Sequence, residues 1–171
     1  MATAIAQSGA MQARSSLSSA GRSGTEPSGP SAWAWALGLG GLLPFVGGAG
    51  AVALGWGGLE PERAGQVLAA YAATIAAFLG GVHWGPAMRA GGRPVAPLVW
   101  GVVPQLVAWG ALTLPTGPGL SLLSGLLVAC YVADRRLYPA AGLRAWLPLR
   151  GVLTAGAAAS CTVAAWATSS A

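Results

Sequence analysis

Charged residues are so sparse that they divide the chain into long apolar runs. No residue from Ala64 to Met88 is charged, and Arg63 and Arg89 bound the run. As a helix rising about 1.5 Å per residue, a run of that length spans a hydrocarbon core of about 30 Å. A similar run opens with Trp33 and Trp35 and closes with Trp56, as expected of indoles at two membrane–water boundaries. The stretch from Pro94 to Ala133 is also uncharged but too long for one crossing, and PTGPG at Pro115 to Gly119 divides it. A last, alanine-rich run extends from Val152 to Thr168. The pattern predicts an all-α polytopic membrane helix bundle of five transmembrane helices, near 32–56, 64–88, 95–114, 118–134 and 151–168. Pro44 predicts a kink in the first, because proline removes a backbone donor.

The polar remainder organises these spans. Residues 1–31 are rich in Ser, Gly and Ala, too poor in apolar surface to repay ordering, and predict a disordered tail before one membrane domain over 32–171. Arginine and serine without acid up to Glu26 also fit an organelle-targeting segment; the same composition fits an unstructured tail of a bacterial protein from a GC-rich genome. With five spans and the N-terminus inside, Arg14, Arg22, Arg89, Arg93, Arg135, Arg136, Arg144 and Arg150 fall inside, and only Arg63 outside. That bias orients the bundle with its N-terminus on the cytoplasmic or matrix side. The segment 134–151, with four of these arginines, has room for a short interfacial helix.

Composition fixes the class and removes alternatives. The chain is 54% hydrophobic and 8% charged, with a mean hydropathy of +0.61. A soluble domain carries about 25% charged residues, so the lipid bilayer is the expected surroundings. The net charge of +5 sits in segments between spans, which argues for membrane orientation and against nucleic acid. Cys130 and Cys161 lie in apolar runs without metal-ligand spacing, so neither a metal nor another cofactor is expected.

Intramembrane polar groups are the natural functional candidates. His83 is the sole histidine, and Ala72, Ala76 and Gly80 share its side of the helix at four-residue spacing, which lets a neighbouring helix approach closely. By depth, Gly80, Gly81, His83, Trp84, Trp100 and Asp134 form a candidate functional or packing cluster near the inner leaflet, with Gln105 as a further polar member. A histidine and a carboxylate meeting there can exchange a proton near neutral pH; the plainer reading is a histidine tethering two helices by one hydrogen bond. Asp134 beside Arg135 and Arg136 reads most simply as an interfacial ion pair, and Gln105 as a partner for a carbonyl freed by Pro104. Gln66 completes the polar set.

The elements LGLGGLLPF, YAATIAAFLGGVHWG, WGVVPQLVAW and LRGVLT, in that order, resemble the domain of unknown function 3429 family, which includes transmembrane protein 69 and fungal mitochondrial inner membrane proteins. The resemblance covers about Leu37 to Thr168. It implies a small polytopic protein of bacterial or mitochondrial inner membranes and brings no catalytic residue or cofactor. Neither a Ser–His–Asp arrangement, a GxSxG element nor paired intramembrane carboxylates occurs, so an enzyme is not expected. Two functions fit: a non-catalytic structural or assembly partner of an inner-membrane complex, or a small proton-coupled carrier or pore using His83.

Overall fold

The computed structural model describes residues 29–93 and 95–169, so the expectation for residues 1–28 lies outside the described part. Among the described residues all regular structure is helical: α1 (Ala32–Gly40), α2 (Leu43–Leu54), α3 (Pro61–Gly81), α4 (Trp84–Arg89), α5 (Ala96–Ala111), α6 (Thr116–Leu137) and α7 (Leu147–Ser169), with short 3-10 turns at Trp56–Gly58 and Arg144–Trp146. The Arg144–Trp146 turn occupies the place where an interfacial helix had room to form.

Local chemistry sets each boundary. Ser31 accepts from the Ala34 amide and so caps α1. Pro44 cannot donate to the carbonyl four residues back, and the first apolar run breaks at Gly41–Leu42, where Tyr71 donates to the Gly41 carbonyl at 2.9 Å. Phe45 packs edge-on against the same Tyr71, with ring centroids 5.1 Å apart. Gly55, at φ 69°, ends α2 in the left-handed region. The second run breaks at Val82–His83, where Pro86 cannot bond to Val82 and the His83 amide turns to Gly80, three residues back.

Four helical stretches are long and apolar enough to cross a membrane: Ala32–Leu54, Pro61–Arg89, Thr116–Leu137 and Arg144–Ser169. The third predicted span is the short one. Its helix, α5, has 16 residues, about 24 Å of rise, because Pro97 marks its start and the turn before Pro115 its end. The fourth is longer than expected: α6 begins at Thr116 and carries Pro118 in its first turn, where a missing N–H costs no helix bond.

The helices α5, α6, α7, α2 and α3 follow one another around a closed ring in which each packs on the next, and α3 also reaches across to α6 and α7. The interior holds small residues and leucines, among them Ala72, Ala76, Leu120, Leu123, Cys161 and Ala164, all fully buried. Bulky apolar groups such as Trp33, Leu37, Phe78 and Trp109 face outward. Small inside and large outside is the arrangement that membrane helices use to pack closely while facing lipid. Hydroxyls add specific ties between α6 and α7: Ser124 donates to the Ala158 carbonyl at 3.0 Å and lies 2.9 Å from the Thr162 hydroxyl.

Candidate functional site

The break at Val82–His83 turns the single histidine into the bundle, where it is 4% exposed. Asp134 enters from the last turn of α6 and is 1% exposed. The two meet: His83 Nε2 lies 3.0 Å from Asp134 Oδ1. With Asp134 ionised its oxygen accepts and the His83 Nε2–H donates. The other carboxylate oxygen belongs to Arg150, in the first turn of α7, whose Nε donates to Oδ2 at 2.8 Å. Its Nη2 comes within 2.6 Å of the same oxygen but off the hydrogen-bond direction. Three helical segments distant in sequence are thus joined at one carboxylate near one end of the bundle. Tyr138, the residue after α6, sets its ring 5.7 Å from that of His83. Burial pushes the Tyr138 phenol above its ordinary range, with the Asp134 carboxylate adding to the effect.

The expected pairing of Asp134 with Arg135 and Arg136 is replaced. Those arginines are exposed, since successive helical residues point about 100° apart and cannot follow Asp134 inward. Charge at a helix C-terminus suits them where they are. Arg150 was expected in the loop before the last span; α7 begins at Leu147, so Arg150 lies within the helix.

The remaining candidates lie apart from the ion cluster, and Gly80, Trp84 and Trp100 among them serve packing. Gly80 is buried against α5: a Cβ there would come within 2.8 Å of the Gly101 carbonyl oxygen. A Cβ on Gly101 would meet Trp84 Cδ1 at 2.2 Å. Trp84 itself is partly exposed and donates to the Leu98 carbonyl at 3.1 Å. Gly81 is exposed with open space around it, and Gln105 is exposed on α5, apart from the cluster. Trp100 packs on the core, its Nε1 buried without a hydrogen-bond partner. Gln66 is exposed in the first turns of α3, beside Glu62 and Arg63.

Two cavities flank the cluster. One, of about 150 Å³, is lined by His83, Pro86, Pro97 and Tyr138, at the end of the bundle that carries Arg89 and Arg136. The other, of about 210 Å³, is lined by Arg150 and Thr154 together with apolar residues of α1, α2, α3 and α6. Among the described residues no group of three or more His, Cys, Asp or Glu is placed to hold a metal.

Among the described residues, small side chains inside, a buried ion cluster and four helical stretches long and apolar enough to cross a membrane define an all-helical protein with the composition of an integral membrane protein. Within that class, the chain belongs to the family described as Protein of unknown function (DUF3429), which it matches over residues 30–166. No curated protein and no solved structure matches it.

Proposed function

We propose that this chain is a non-enzymatic integral membrane protein of a bacterial or mitochondrial inner membrane, crossing five times with its N-terminus on the cytoplasmic or matrix side. In this reading it packs against, or helps assemble, a larger membrane complex. The observation that carries the reading is the exposure of the first span. Ala32–Leu54 is only 28% buried, the least of the four long stretches, and Trp33 and Leu43 are exposed by 78% and 73%. The helix α1 contributes no buried residue at all. The ion cluster fits the same reading, since both Asp134 oxygens are spent inside the chain, tying α6 to α7 and to the α3–α4 break. Photo-crosslinkers at Trp33 and Leu43, with a control on α5 at Leu106, test it after extraction in mild detergent. The expected result is a large co-eluting assembly with adducts at Trp33 and Leu43. A monodisperse free chain without adducts would refute it.

A second reading rests on a different observation: His83 and Arg150 each line a cavity, on either side of the shared Asp134. Such an arrangement suits a proton held between His83 and Asp134 and exchanged with the cavity that His83 lines, while the permanently charged Arg150 biases the pair from the other side. Proteoliposomes under a pH gradient separate the readings. The second expects proton flux that His83→Leu abolishes, and the first expects none.

A further inference from the structure

Hydroxyls on these helices share a habit. Ser160, Thr162 and Thr168 each donate to the carbonyl four residues back, at 2.9 to 3.1 Å. That return bond is how a hydroxyl avoids being unsatisfied inside a membrane protein. Thr154 departs from it. It is 7% exposed, its Oγ1 is buried, and that oxygen has no hydrogen-bond partner. One helical turn earlier, Arg150 Nη2 is also buried; it lies 2.6 Å from Asp134 Oδ2 but makes no aligned hydrogen bond. Both residues line the cavity of about 210 Å³, and they supply its polar end.

The rest of that cavity is apolar, with Leu42, Phe45, Leu79 and Leu153 among its walls, and the exposed Leu37 and Phe78 stand at its rim. Along α7 it extends from Arg150 to Ala157, about 10 Å at 1.5 Å per residue. It therefore opens toward the side of the bundle, with buried donors at the end nearer the start of α7.

Charge selects among molecules that accept hydrogen bonds. Arg150 is already balanced by Asp134, so a carboxylate or phosphate seated at the donors would bring an uncompensated charge into a buried place. A neutral carbonyl oxygen accepts from Arg150 and Thr154 without that cost. We propose that this cavity binds an acyl chain of a bilayer glycerolipid, its ester carbonyl accepting from Arg150 Nη2 and Thr154 Oγ1. Ester carbonyls lie just below the headgroups, at the depth that a residue in the first turn of a spanning helix occupies. The chain then lies along Leu42, Phe45 and Leu153. The phosphate of that lipid remains at the surface, where Arg135, Arg136 and Arg144 are exposed.

The test uses the full chain, purified and delipidated in mild detergent, with two probes. One is dioleoyl phosphatidylethanolamine; the other is its dialkyl ether counterpart, identical except that the ester carbonyls are missing. Native mass spectrometry reads the retained lipid. The ester lipid should be held about tenfold more tightly, the worth of one well-formed hydrogen bond to the otherwise unpaired Thr154 hydroxyl. Thr154→Val should reduce ester retention toward the ether level while the lipid-free protein melts no lower than the parent. Leu153→Trp, which narrows the apolar part, should weaken both probes alike. Equal retention of ester and ether lipids by the parent chain would overturn the proposal, whatever the variants do. So would tighter binding of a short-chain benzoquinone than of the ester lipid, which would assign the carbonyl site to a different occupant.

Discussion

Replacing Asp134 by leucine removes the only carboxylate of the cluster and leaves Arg150 without its partner. Breaking a buried ion pair from one side costs about 3–5 kcal/mol, mostly as the penalty of the stranded charge. Here the stranded charge has an exit. Arg150 lies in the first turn of α7 with a side chain 11% exposed, and a guanidinium on a long stem can swing toward the headgroups. The cost for Asp134→Leu should therefore fall near the lower figure, about 3 kcal/mol, including about 0.6 kcal/mol for the lost His83 bond. Arg150→Leu strands the shorter carboxylate instead, at a site 1% exposed, and should cost at least as much. The double variant Asp134→Leu/Arg150→Leu strands no charge. It should be more stable than either single variant, giving a coupling of at least about 3 kcal/mol in a double-mutant cycle. Reversible unfolding in mixed micelles, followed by tryptophan fluorescence, supplies the four free energies. If the cost of the double variant equals the sum of the two single ones, the residues do not act as a unit and the reasoning fails.

His83→Leu should lose about 0.6 kcal/mol, and not above about 1.7, because one hydrogen bond is removed while Arg150 still balances Asp134; a loss beyond about 3 kcal/mol in the same unfolding assay would mean that His83 holds far more than one contact. Gly101→Ala should cost about 1–3 kcal/mol, since the new methyl collides with the Trp84 ring, while Gly110→Ala, where a Cβ meets open space, should be near neutral. Equal melting temperatures for those two variants would show that α4 and α5 are not in close contact. Reporters fused after Ala171 and within the Arg89–Arg93 loop should read opposite sides of the membrane; both on one side would rule out five crossings.

The helical plan was legible because charge and proline mark it. Arg63 and Arg89 bound the second helical stretch in sequence, and the described stretch, Pro61–Arg89, differs from the expectation by only a few residues. The stripe of Ala72, Ala76 and Gly80 indicated the buried face for a physical reason: small residues are useful in a membrane helix only where another backbone comes close. All three are buried, and Gly80 nearly touches the α5 backbone. Helix ends were less legible. Pro118 in sequence points to a start of the fourth span at that residue, yet proline is also tolerated two positions further into a first turn, and the helix begins at Thr116. The third span was expected through Leu114, although the chain already turns after Ala111.

Arg150 shows why the ion cluster was only half visible. Depth along two helices lets His83 and Asp134 meet, whereas the charge pattern alone places Arg150 in the loop before the last span. A signal was present: Pro148 fits the first turn of a helix, where its missing N–H costs no helix bond, and a start at Leu147 puts Arg150 in that turn. A cation there opposes the helix dipole, which favours negative charge at an N-terminus. An arginine in that position and turned inward requires a carboxylate from another element. Asp134 is the acid available at that end of the bundle, because Glu60 and Glu62 lie before and within the first turn of α3, at the opposite end. The pairing thus follows from the helix start, and the spare donor of Arg150 follows from the pairing. Nε donates to one carboxylate oxygen while Nη2, close to the same oxygen but poorly aligned with it, stands at the polar end of the apolar cavity.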